Sequence, residues 1–81
     1  MSTSAVENHP LAQSVRFTDS ELVVELVDGR TVCVPFVWFP RLNRASPEQL
    51  ANFEIIADGE GIHWPDLDED LSVAGLLQGS H

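Results

Sequence analysis

Glu21-Leu22-Val23-Val24-Glu25-Leu26-Val27-Asp28-Gly29-Arg30-Thr31-Val32-Cys33-Val34 contains two runs with strand chemistry around an Asp-Gly pair, and the register between those runs decides the fold. A two-residue Asp28-Gly29 loop would pair Val24 with Cys33 and Val23 with Val34, spreading apolar side chains over both faces. A three-residue loop, Val27-Asp28-Gly29, pairs Val24 with Val32 and Leu22 with Val34. Only the second register yields an apolar face (Leu22, Val24, Leu26, Val32, Val34) and a polar one (Glu21, Val23, Glu25, Thr31, Cys33). A one-residue slip moves every side chain to the opposite face. The pattern therefore predicts the three-residue loop, with Gly29 in the left-handed conformation and a bulge.

Upstream of this hairpin, Val15 to Phe17 is a short strand candidate, and Thr18-Asp19-Ser20 supplies turn chemistry. Residues 1–13 read as a flexible tail and residues 14–79 as one domain. Downstream, the two prolines of Pro35-Phe36-Val37-Trp38-Phe39-Pro40 predict an irregular segment packed on the sheet by its aromatics. Ser46-Pro47-Glu48-Gln49 is a helix start with a serine cap, a proline at the first helical position and a glutamine three residues after the cap. It predicts a helix from Pro47 to Phe53. Phe53 to Ile56 and Ile62 to Trp64 flank the loop Ala57-Asp58-Gly59-Glu60-Gly61 as a second hairpin. A last helix over Leu71 to Leu77, capped by Asp68 or Asp70, would stop at Gly79. The expected fold is α+β: a small antiparallel sheet from two hairpins plus a short strand, with two short helices.

Eighty-one residues make one domain at most, and a chain this short buries only about 60% of the surface its unfolded form exposes. The single cysteine, Cys33, cannot form an intramolecular disulfide and suits a reducing compartment. No apolar run approaches the roughly 20 residues of a membrane helix, and the N-terminus lacks the basic start and apolar stretch of a secretory signal. These features predict a soluble cytoplasmic protein without a membrane partner. The net charge is −9, and its layout is uneven. Before residue 54, six acids face Arg16, Arg30, Arg41 and Arg44; from Glu54 onward, seven acids face no arginine or lysine. Phosphate backbones require cations, so no nucleic acid is expected to bind. Acids keep small proteins soluble, and they also steer basic partners.

The densest chemistry lies in Gly61-Ile62-His63-Trp64-Pro65-Asp66-Leu67-Asp68-Glu69-Asp70. Asp66, Asp68 and Asp70 alternate as at the start of an EF-hand loop, but position six is Leu71 and position twelve is Leu77, where calcium requires a glycine and a bidentate glutamate. A zinc site needs more His or Cys ligands than His63 and Cys33 provide, since His9 and His81 lie near the ends. Ser20 and Ser72 lie in no nucleophile motif, and the acids of Asp58-Gly59-Glu60-Gly61 exclude a phosphate cradle. No catalytic, cofactor or metal residue is assigned. The predicted recognition surface is His63, Trp64, Asp66, Asp68, Glu69 and Asp70. Trp64 and Trp38 are themselves expected in the core, whereas an exposed tryptophan would mark a binding hot spot. Arg41 and Arg44 are expected to pair with the chain's own acids.

Several segments together carry a family resemblance. They are Asp28-Gly29-Arg30, Val34-Pro35, Phe39-Pro40-Arg41-Leu42, Ser46-Pro47-Glu48, and above all the His63-to-Asp70 run continuing through Leu71-Ser72-Val73 to Leu76-Leu77 and Gly79. Over roughly residues 14–79 the chain resembles the bacterial domain of unknown function 2442 family. The resemblance implies a small α+β domain and supplies no catalytic residues. Some members are fused to a helix-turn-helix domain, for which 81 residues leave no room, so direct transcriptional control is not expected. Others are encoded beside a small partner in arrangements resembling toxin–antitoxin pairs. The leading expectation is therefore a non-enzymatic protein–protein interaction module, antitoxin-like, for a small basic protein. The alternatives are a metal-binding or enzymatic domain centred on the His-Trp-Pro-x-Leu-Asp-x-Asp segment, and a structural homo-oligomer.

Overall fold

The computed structural model describes residues 10–79. Its first hairpin has the register that the side-chain pattern requires: β2 (Glu21–Leu26) and β3 (Thr31–Pro35) place Leu22 opposite Val34 and Val24 opposite Val32. The Leu26 N–H donates to the Arg30 carbonyl at 2.8 Å, and the Gly29 N–H to the Leu26 carbonyl at 3.0 Å, which closes the three-residue loop. Gly29 has φ +99°, a conformation that a side chain would strain. The Asp28 carboxylate accepts from the Arg30 N–H (3.0 Å) and Nε (2.8 Å), and the backbone contact foremost lowers its pKa.

Strand β1 (Ala12–Phe17) pairs antiparallel with the other edge of β2, with an irregularity between Ala12 and Ser14. It starts ahead of the domain start expected at residue 14. The part of the expected tail at residues 1–9 lies outside the described residues, as do His9 and His81. Because β2 is central, Val23 on its outer face sits between Arg16 and Cys33 of the neighbouring strands and is buried, outside the main core. Alternation alone had placed it on the polar face.

After β3 the chain makes a 3₁₀ turn at Phe36–Trp38 and then α1 (Pro40–Asn43). The expected irregular segment is this single turn, with Phe36 and Phe39 in the core; the helix not expected is α1, which Pro40 starts because its missing N–H breaks no intrahelical bond at a helix N-terminus. Helix α2 (Pro47–Ala51) has the predicted capping box. The Ser46 side chain accepts from the Gln49 N–H at 3.2 Å, and the Gln49 side chain accepts from the Ser46 N–H at 3.0 Å; such a cap contributes about 1 kcal/mol. The remaining elements are β4 (Glu54–Ile56), a turn at Ala57–Gly59, β5 (Gly61–Trp64), β6 (Glu69–Ser72) and α3 (Val73–Gln78). Gly79, at φ +78°, ends α3 as predicted.

The strands form two three-stranded antiparallel sheets, β1-β2-β3 and β4-β5-β6. With three short helices this is an α+β domain. One hydrophobic core serves both sheets: Leu22, Val24, Leu26 and Val34 come from the first, Ile62 and Trp64 from the second, and Phe36, Phe39, Leu42, Leu50, Val73 and Leu76 from the intervening and final segments. Among the described residues, no helix is long and apolar enough to cross a membrane.

Candidate functional site

The His63-to-Asp70 run is a β-hairpin. Strands β5 and β6 pair Trp64 with Glu69, His63 with Asp70, Ile62 with Leu71 and Gly61 with Ser72. Between them Pro65 to Asp68 form the loop, with the Leu67 N–H donating to the Trp64 carbonyl at 3.1 Å and Asp68 left-handed at φ +54°. This corrects the expected acid-capped helix start. Asp70 lies in a strand, Asp68 in a turn, and α3 is capped by Ser72, whose hydroxyl accepts from the Gly75 N–H at 2.9 Å. Aspartate and glutamate have poor strand propensity, but pairing with β5 brings Leu71 against the core and overrides it.

The hairpin distributes the six predicted surface residues unevenly. Trp64 is fully buried, donates from Nε1 to the Leu50 carbonyl at 3.0 Å and tilts against Phe53, so it is a core residue and leaves the recognition surface. Asp66 is exposed and accepts from the Asn52 side-chain amide at 3.0 Å. Asp68 is exposed, and its backbone carbonyl accepts from Arg41 at 2.7 Å; the same guanidinium nitrogen lies 3.3 Å from the Leu67 carbonyl and 3.9 Å from the Glu69 carboxylate. Arg41 thus ties the loop to α1 mainly through carbonyls; of the expected pairing with acids it makes only the long contact to Glu69, and Arg44 makes no ion pair with a described residue. Asp66, Asp68 and Asp70 do not converge, and among the described residues no three His, Cys, Asp or Glu side chains are placed to hold a metal ion.

His63 and Asp70 form the closest contact in the site, Nδ1 to Oδ1. Glu54 lies cross-strand on the other side of His63, giving a Glu54–His63–Asp70 row on one face of the sheet. The hydrogen bond to Asp70 raises the His63 pKa above 6.5; burial opposes this, and the negative charges of Asp70 and Glu54 reinforce it. A raised histidine pKa means that folding favours the protonated ring. Its stabilisation is complete below about pH 6.5 and disappears as pH rises through the folded-state value. The His63 ring should therefore titrate above 6.5 by NMR and move back towards 6.5 in Asp70→Asn. The same substitution should cost more stability at about pH 6 than at about pH 9; an equal cost at both would show that the pair is not charge-assisted.

Beside this row, all four residues of β6 line an open groove of about 430 Å³ whose remaining walls are Phe39, Gly75 and Leu76. Sequence reasoning missed these three, along with Arg41, Glu54, Leu71 and Ser72. The only local signal was the alternation of Glu69 and Leu71 with Asp70 and Ser72, too short to outweigh the helix reading.

No curated protein matches the chain. Among solved structures it is similar to a protein of unknown function from Rhodospirillum rubrum, 37% identical, with 90% of each chain covered and a TM-score of 0.79. It is also similar to an uncharacterised protein from Chromobacterium violaceum solved by solution NMR, 31% identical, with a TM-score of 0.72. That alignment covers 85% of this chain and 65% of the other, so the chain spans just under two thirds of the length of that relative. The family model described as protein of unknown function (DUF2442) matches residues 12–81; by this match and these likenesses in sequence and fold, the chain belongs to the DUF2442 family.

Proposed function

We propose that this domain is a protein-binding module whose second sheet and adjoining loops receive a small basic protein, in an antitoxin-like role. It acts by occupancy, without catalysis. The observation that carries this reading is the segregation of charge: every acid from Glu54 onward belongs to the second sheet or its loops, and no arginine or lysine follows Arg44. Among the described residues, the cation that reaches this half is Arg41, and it is engaged mainly by backbone carbonyls. Glu54, Asp58, Glu60, Asp66 and Asp68 are all exposed without an ion pair to a described residue. Such a field repels nucleic acid and a second copy of the chain, and it speeds and orients a basic partner.

The test is affinity purification of the tagged protein from its native cells at low salt. The expected result is one specific basic protein, released as ionic strength approaches about 1 M, where the screening length falls to roughly 3 Å. Replacing Glu54, Asp58, Asp66 and Asp68 by their amides should weaken its capture. Recovery of no specific partner at low or moderate salt, or of one indifferent to these replacements, would refute the reading.

A further inference from the structure

We propose that the groove along β6 is a strand-addition site: the basic partner contributes an extended segment that pairs with the outer edge of β6, alternating basic and apolar side chains. This rests on the proposed binding of a basic protein and specifies how that protein is recognised. Strand β6 is at the edge of its sheet, paired with β5 on one side only, so its outward main-chain groups have no strand partner among the described residues. Such an edge is a template for another strand. At β6 the edge is also the wall of a groove, since Glu69, Asp70, Leu71 and Ser72 all line it and Phe39, Gly75 and Leu76 face them. A Cβ at Gly75 would lie 2.8 Å from the Ser72 hydroxyl that caps α3, so a larger residue there would push that hydroxyl from its cap.

The side chains of β6 state what the added strand must carry. Successive residues of a strand point to opposite faces. Leu71, opposite Ile62, belongs to the core-facing side and continues with Leu76 and Phe39 as an apolar floor. Asp70, opposite His63, belongs to the other side and its side chain is 70% exposed. A residue of the incoming strand beside Leu71 is therefore apolar, and its neighbours on the Asp70 side are cationic. Charge also decides between occupants. Antiparallel pairing of β6 with a second copy would crowd Glu69 and Asp70 of both chains at one seam, between molecules that each carry −9. A basic segment relieves that field.

Two synthetic peptides of equal charge test the proposal, Lys-Val-Lys-Val-Lys and Lys-Pro-Lys-Pro-Lys, each titrated at low salt into the isotope-labelled protein and followed by NMR. Proline removes the N–H groups that strand pairing needs but leaves the cations in place. The valine peptide should shift the amides of Glu69 to Ser72 and Gly75 and bind about tenfold more tightly than the proline peptide, the difference that one or two main-chain hydrogen bonds make. Asp70→Lys should weaken both peptides and leave the valine peptide's advantage in place. Equal binding of the two peptides, with shifts spread over all the acids of the second sheet, would overturn strand addition and leave the basic-partner reading standing. Binding of neither would overturn both.

Discussion

Trp64→Ala should destabilise the domain by about 3–5 kcal/mol, the range for deleting a large buried aromatic. The side chain has no exposed surface, packs in the core shared by both sheets, and lies 6.5 Å from Phe53 in a tilted ring contact. Its indole N–H donates to the carbonyl of Leu50 near the end of α2, so truncation also removes the donor from a carbonyl in the interior. A domain of this size has a total stability of roughly 4–12 kcal/mol, and the variant should be largely unfolded if the true figure is at the lower end. Trp64→Phe separates the two contributions. It retains most of the apolar bulk and leaves the Leu50 carbonyl without its donor, for a cost of about 1–3 kcal/mol. Urea unfolding of the three proteins measures the series. A Trp64→Ala variant as stable as the parent but deficient in partner binding would return Trp64 to the recognition surface and contradict its buried position.

The burial of Trp64 was legible because an apolar ring in a short strand has few other places to go. The register of the first hairpin was legible for a stronger reason. Leu22, Val24 and Leu26 can meet Val32 and Val34 on one face through a single loop length, and the structure has that loop. The Ser46–Gln49 capping box was equally local, since both partners lie within four residues. What was not legible depended on contacts distant in sequence. Strand β6 looks like a helix entry in isolation, and only β5 makes it a strand. The division into two sheets depends on which strands meet, which alternation within a strand does not encode. Of the residues assigned to a recognition surface, Asp66, Asp68 and Asp70 are exposed, Glu69 is half-buried and His63 is partly exposed in its pair with Asp70. The groove beside them was hidden because Phe39 and Leu76 reach it from positions far apart in the sequence.

Gly59→Ala should lower stability by about 3 kcal/mol, and Gly29→Ala by markedly less, although both glycines have positive φ. Gly59 is at φ +106° and Gly29 at φ +99°, so an alanine at either position incurs backbone strain of about 1–3 kcal/mol. Their surroundings differ. A Cβ on Gly29 would meet nothing within 4 Å, whereas one on Gly59 would lie 3.1 Å from the Ala12 carbonyl oxygen, 3.1 Å from the Leu11 Cβ and 3.2 Å from the Ala12 nitrogen. Two of those three atoms are backbone at the start of β1, and the Ala12 side chain is itself in the core. Relief would thus require the turn after β4 to move away from the first sheet, an overpacking cost of about 1–3 kcal/mol. The turn has little freedom to adjust, because Ala57 and Asp58 are already left-handed at φ 53° and 58°. For a domain of this length each kcal/mol lowers Tm by about 4–8 °C, so the Gly59 variant should melt well over 10 °C below the parent, with Gly29→Ala between them. The difference between the two variants isolates the contact that seats the second sheet's turn on the first strand. Equal melting temperatures for the two alanine variants would mean that this contact contributes nothing, and that the sheets are joined through the hydrophobic core alone.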